Sequence, residues 1–298
     1  MKTTNAIQRG RMIKKIEPYV WLLPCLLLIV IFILYPVVNV IYMSFCKVSR
    51  SGLIKSFGTL DNFQKIFEHK AFSRVILNTF IWTIVVVGVS TVFGLIMALV
   101  LNTSFKGRKI ARAILVIPWA TSGMVLACTW KYIFDFNYGS LNSLLMHLGI
   151  VEKEVNWLGG SSYGAFACMM FVGITVTVPF ISFTLLSGLQ SIPNDFYEAA
   201  RIDGANFWHR LTLITLPLLK PALNVSTVLN IIYVFNSFAI VHNMTGGAPA
   251  HQTGTIMTYI YTCFGSGDYG KSAAASVVGF AILMIIATLY MRMLMKEE

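Results

Sequence analysis

The sequence predicts an all-α polytopic membrane protein: six transmembrane helices, with both termini on the cytoplasmic side. Three observations carry that expectation. Of its 298 residues, 56% are hydrophobic and 12% charged, which leaves too little polar surface to cover a soluble domain of that size. The apolar residues gather into six runs of about the ~20 residues that cross a bilayer as a helix. Basic residues cluster at the ends of those runs, so the net charge of +11 is a topology signal rather than a nucleic-acid-binding surface.

Taken in order, residues 1–18 form a basic cytoplasmic tail with Lys2, Arg9, Arg11, Lys14 and Lys15. The run from Tyr19 to Phe45 exceeds the ~7–15-residue core of a signal peptide and lacks a small-residue cleavage site, so it is expected as an uncleaved first helix. With the loop after it, that helix makes up residues 19–74. A core of residues 75–295 holds the remaining runs: 75–101, 113–134, 163–189, 221–241 and 272–295. Residues 296–298 are a cytoplasmic end. An even number of spans puts both termini on one side, and the basic tail makes that side the cytoplasm. The loop with Lys106, Arg108, Lys109 and Arg112 falls inside by the same count. Residues 43–74 run against the rule: the count places them outside, yet Lys47, Arg50, Lys55, Lys65, Lys70 and Arg74 face only Asp61 and Glu68. Leu60, Phe63, Ile66 and Phe67 give this loop the face of a small amphipathic cap.

Pro24, Pro36, Pro118 and Pro179 lie within apolar runs and predict bends rather than ends. Thr121 and Ser122, and Thr175 and Thr177, stand near enough to bond the freed carbonyls; packing irregularity and hinge points both fit. Charge is sparse in the runs, with Lys131 near a helix end and Arg292 at the last one. No buried carboxylate or His chain is present to relay protons or hold a coupling ion, and His69, His147, His209, His242 and His251 lack metal-ligand spacing. Cys25, Cys128 and Cys168 are small hydrophobes within runs, whereas Cys46 and Cys263 lie near the outer face with their pairing open.

The fifth run carries a polar stripe. At about 100° per residue Ser226, Asn230, Tyr233 and Ser237 fall on one face, with Asn236 on its flank. Such groups could hydrogen-bond and stack on a carbohydrate in a cavity, or they could join helices inside the bilayer. Two nucleotide-site decoys lack their context: residues 265–272 satisfy G-x4-G-K-S, and residues 186–190 look like a degraded ATPase signature. A phosphate loop needs a preceding strand and a soluble helix, but Ser272 opens a membrane-length run.

The stretch of residues 191–217 is the longest polar interruption in the second half and predicts a short helix, a break and a second helix start. Pro193 suits the first helical turn with Ser191 nearby to cap it. Phe196, Ala199, Ala200 and Ile202 offer apolar contact points, Asp195, Glu198, Arg201 and Asp203 keep the helix soluble, and Gly204 can take the left-handed conformation that stops it.

Glu198-Ala199-Ala200, Gly204, Ile214, Leu216 and Pro217 match in full the pattern E-A-A-x3-G-x9-I-x-L-P, and Asp203 and Ala205 extend it. The stretch resembles the coupling loop of membrane-spanning subunits of binding-protein-dependent ABC importers. Residues 21–24 (W-L-L-P), Tyr35-Pro36, Asn62-Phe63, residues 156–159, residues 243–249, 255–261 and 267–270 resemble the sugar-type permeases of that superfamily, relatives of the maltose, lactose and glycerol-3-phosphate importers. The resemblance implies the type I (MetI-like) permease fold in the cell membrane, with no catalysis and no cofactor of its own, ATP being hydrolysed by partner subunits. Implied partners are a second permease, a pair of ATP-binding subunits and an extracytoplasmic solute-binding protein, with a sugar, oligosaccharide or polyol as substrate. It assigns ATPase coupling to Glu198, Ala199, Ala200, Asp203 and Gly204. Permeases for another small solute (amino acid, polyamine) and an ion-coupled carrier are the alternatives.

Overall fold

The computed structural model describes Tyr19 and residues 21–295; the tail of residues 1–18 and the end of residues 296–298 lie outside the described residues. The chain divides into two compact units, Met1–Ile66 with Cys263–Val277, and Phe67–Thr262 with Val278–Glu298.

In the first unit the opening apolar run is a helix, α1 (Trp21–Ser44). Its ladder widens into a π turn at Val30–Leu34, immediately before Tyr35 and Pro36, where the proline removes a backbone donor. A two-stranded antiparallel hairpin follows, β1 (Cys46–Val48) and β2 (Ile54–Phe57), and then α2 (Asp61–Glu68). The amphipathic cap expected here forms with half the expected face. Phe63 packs on Phe45 with ring centroids 5.3 Å apart and Ile66 is fully buried, whereas Leu60 and Phe67 are exposed. Asn62 fastens α2 to the end of α1 and to β1, its Nδ2 donating to Ser44 O at 2.9 Å and Cys46 O at 2.8 Å. Lys47 Nζ meets Asp61 Oδ2 at 2.9 Å; the Thr59 hydroxyl and this ammonium hold the Asp61 carboxyl below the usual carboxylate range. No disulfide joins Cys46 and Cys263.

The second unit is a helix bundle built on α3 (Lys70–Asn102) and α7 (Ser162–Gln190), with α4 (Arg108–Ala120), α5 (Gly123–Ile133) and α6 (Ser140–His147) between them in sequence. Beyond α7 come α8 (Asn194–Ile202), α9 (residues 207–235, with a π turn at Leu211–Thr215) and α10 (Ala239–Met244). Next are α11 (Ile256–Gly265) and α12 (Tyr269–Met295), of which the stretch Cys263–Val277 belongs to the first unit. Among the described residues five helices are long and apolar enough to span, and the bent pair α4 and α5 makes six if counted as one.

Two expected spans change shape. Residues 113–134 are not one helix: α4 and α5 meet at 97°. Pro118 deprives Ile114 O of its partner, and Thr121 and Ser122 then turn extended, with Thr121 Oγ1 donating back to Ile117 O at 2.7 Å. The fifth span starts at Phe207 rather than Pro221, because Asn206 caps it by accepting from His209 N at 2.9 Å. It also stops at Phe235 rather than running on to Val241. Pro179, by contrast, sits inside an unbroken α7.

The bundle core joins α3, α5, α7, α9 and α10 through Trp82, Val86, Ala127, Val172, Val234 and Val241. Trp82 is its centre: the indole Nε1 donates to Val234 O at 3.0 Å, and the ring lies flush against Gly173. A Cβ at Gly173 would stand 2.9 Å from Trp82 Cη2, and one at Gly94 would stand 2.6 Å from Ile181 Cγ2, so α3 and α7 approach at two points where a side chain is missing. We expect Gly173→Val to destabilise the bundle by about 1–3 kcal/mol, since the pinned indole cannot retreat. Thermal unfolding of the detergent-solubilised chain measures it.

Candidate functional site

Two surfaces concentrate the candidate residues, and α9 belongs to both. The first is the α8 turn. Pro193 occupies the N-cap of α8 rather than its first turn, and Ser191 does not cap that helix; its hydroxyl donates to Gly188 O at 2.7 Å and closes α7 instead. At the other end Gly204 adopts φ +77°, as the stop signal requires. Its N–H bonds Arg201 O at 3.1 Å and Ala205 N–H bonds Ala200 O at 2.8 Å, which together form a Schellman cap. Tyr197 OH and Thr215 Oγ1 stand 3.2 Å apart and latch α8 to the π turn of α9.

That geometry sorts the expected coupling residues. Glu198, Ala199, Asp203 and Gly204 are exposed. Ala200 is 8% exposed and faces its own bundle. Around the exposed set stand bare apolar side chains: Phe196 at 51%, Ile202 at 87% and Trp208 at 68% exposure. A soluble-facing turn with that much uncovered apolar surface has the character of a docking site. Trp208 went unnoticed in the sequence because it falls between the motif's fixed positions.

The second surface is a cavity of about 360 Å³ beside α9, walled by Trp119, Val176, Thr177, Phe180, Leu229, Asn230 and Tyr233. Here the polar stripe divides. Ser226 is buried and its hydroxyl returns to Leu223 O at 2.9 Å. Asn230 Nδ2 donates to Ser90 Oγ at 3.0 Å and joins α9 to α3, while its Oδ1 is buried with no partner at the cavity wall. Tyr233 is 55% exposed in the same wall. Asn236 and Ser237 lie past the helix end, where the 100° spacing no longer applies: Asn236 Nδ2 donates to Ile232 O at 2.7 Å and caps α9. Helix joining therefore accounts for part of the stripe, and Asn230 and Tyr233 alone of it reach the cavity. Trp119 and Phe180 were missed, and Thr177 was placed only as a neighbour of Pro179.

The cavity is mostly apolar with aromatic faces, and one of its wall residues, Asn230, carries a buried acceptor without a partner. That combination suits a polyhydroxy ligand, which offers hydroxyl donors and a C–H face. Tyr233→Ala is expected to weaken binding of such a ligand to the detergent-solubilised chain about ten-fold while the unfolding midpoint stays unchanged. Titration of the purified chain with polyhydroxy ligands reads the change directly.

The model of a family described as "Binding-protein-dependent transport system inner membrane component" matches residues 90–296. The chain is 40% identical over 282 residues to a probable ABC transporter permease protein of Brucella abortus, covering 94% of this chain and 97% of that protein. It is 36% identical over 274 residues to the trehalose/maltose transport system permease protein MalF of Thermococcus litoralis, covering 92% of each. Its fold matches a chain from the crystal structure of a bacterial ABC transporter involved in the import of the acidic polysaccharide alginate. The TM-score is 0.82 at 24% identity, over 96% of this chain and 98% of that one.

Proposed function

The chain belongs to the inner membrane components of binding-protein-dependent transport systems, and from that premise we propose that it forms half of the translocation pathway of an ATP-driven importer for a sugar, oligosaccharide or related polyol. The observation that carries this reading is the α8 turn, which presents Glu198 and Ala199 among uncovered Phe196, Ile202 and Trp208. The relatedness to a trehalose/maltose permease and the aromatic cavity at Tyr233 support the substrate class.

The pathway is completed by a second permease, solute is delivered by an extracytoplasmic binding protein, and a pair of ATP-binding subunits docks under α8. The loop of residues 191–217 faces those ATPases in the cytoplasm, the side to which the positive-inside count assigns both termini. The chain itself makes and breaks no covalent bond and holds no cofactor; ATP is hydrolysed on its partners. When the ATPases close, α8 moves with them, and the helices rotate as rigid bodies to switch access to the cavity. Glu198 supplies a charge-assisted bond to the ATPase, Ala199 allows the close approach, and Ala200, turned inward, seats α8 on the bundle. Asp203 and Gly204 set the turn that carries the motion into α9.

Two variants test the coupling role. Glu198→Ala removes a charge-assisted contact of about 1.5–3 kcal/mol, so affinity purification of the tagged chain in mild detergent should recover less ATPase with the second permease retained. Gly204→Pro cannot take φ +77°, and should abolish uptake while membrane insertion stays normal. Recovery of the wild-type chain alone, with uptake that survives deletion of the ATPases, would refute this reading in favour of an ion-coupled carrier.

A further inference from the structure

Behind α8 lies a cavity of about 550 Å³, within the roughly 300–1,000 Å³ range of small-molecule sites. Arg108 from α4, Arg201 from α8 and Arg210 from α9 line it together, and neither Asp nor Glu does. Among the described residues, none of these arginines belongs to an ion pair. Arg112 stands one turn beyond Arg108. The Gln190 side chain, with its oxygen turned toward them, accepts from Arg108 Nη2 at 3.2 Å and Arg112 Nη2 at 3.1 Å. One neutral oxygen is thus shared by two guanidinium groups. The Nε–H groups of Arg108 and Arg112 remain buried without an acceptor.

Arginine does not shed its proton, so these charges cannot be relieved by titration. Arg108, Arg201 and Arg210, gathered at one cavity, repel, and the buried Nε–H of Arg108 is a donor left without an acceptor. A cytoplasmic topology signal would be served by exposed basic side chains such as Lys109. It does not call for guanidinium groups from three helices around one cavity, with buried N–H groups left over.

We propose that this cavity binds a phosphate group, contributed by an anionic lipid headgroup or by a soluble phosphate of the cytoplasm. A phosphate offers several acceptor oxygens to planar guanidinium forks. It also lies well at the N-terminus of the 13-residue α4, whose first residue is Arg108. Bound there, it bridges α4, α8 and α9 and holds the α8 turn in place. Binding stands independently of the coupling role given to α8; only its consequence for transport rests on that role.

The test uses the full complex, with its ATP-binding subunits, in nanodiscs. One arm compares discs of phosphatidylcholine alone with discs containing phosphatidylglycerol, reading retained lipid by native mass spectrometry and the unfolding midpoint by heating. The other titrates inorganic phosphate into phosphatidylcholine discs. A saturable rise in midpoint is expected in one arm, which names the source. Binding should weaken about ten-fold or more in Arg108→Gln and in Arg210→Gln, less in Arg108→Lys, and not at all in Lys109→Gln. No saturable response in either arm overturns the proposal, as does an equal loss in Lys109→Gln, which would mean diffuse charge. A response that appears only after the ATP-binding subunits are stripped also overturns it, because a carboxylate of the ATPase would then be the occupant.

Discussion

Helix ends inside an apolar bundle must find hydrogen-bond partners, because the last four carbonyls of a helix have none of their own and hydrocarbon offers none. This constraint governs where the present chain can break. α9 ends at Phe235, and the end is closed by three separate devices: Ser237 N–H and the Trp82 indole both donate to Val234 O, and the Asn236 amide donates to Ile232 O. Trp82 lies on α3, so the break in α9 is stabilised from a neighbouring helix, and Gly173 on α7 makes room for the ring that does it. The bend between α4 and α5 is closed locally by Thr121. Of these donors the Trp82 indole is the one whose bond is buried, so its removal would leave Val234 O, deep in the bundle, to Ser237 N–H alone.

The same constraint explains which polar residues were legible in the sequence. A stripe at 100° spacing is blind to whether each member meets a neighbour, its own helix or open space. Ser226 returns to its own backbone, Asn230 divides its amide between α3 and the cavity, and Tyr233 opens onto that cavity. Periodicity could place the first three correctly on one face and could not foresee that the helix stops before Ser237. The π turns at residues 30–34 and 211–215 were equally invisible, although each lies just ahead of a proline that the sequence displays.

By contrast the α8 turn was legible almost to the residue, because its signals are local. A left-handed residue after a helix must be cheap in steric terms, and Gly204 is. An interior docking surface has no such alphabet. Ala200 and Ala199 are adjacent and identical in chemistry, yet one faces the bundle and the other solvent, and only the rotation of α8 about its axis decides between them. That rotation is set by Tyr197 against Thr215, eighteen residues away in sequence.

The Tyr197 latch also decides how a push on α8 would travel. Thr215 donates to Arg210 O at 3.1 Å, so its single hydroxyl proton is spent within the π turn and Tyr197 must be the donor to it. The latch therefore grips α9 at the turn where its ladder is already disrupted and where Pro217 follows, the most compliant point along the helix. Beyond it Pro221 is the one further defect before the helix ends at Phe235. From Phe207 to Tyr233 is 26 residues, about 39 Å at 1.5 Å per residue. A helix of that length bends little under lateral load except at such a defect, so a displacement of α8, if the proposed coupling holds, would pivot α9 near residues 211–217 and move Tyr233 along the cavity wall. Asn230, tied to Ser90 on α3, would resist that movement. The two residues of the stripe at the cavity are thus held unequally: Asn230 is tied to α3, whereas Tyr233 would follow any such movement of α9, and a solute between them would meet that difference.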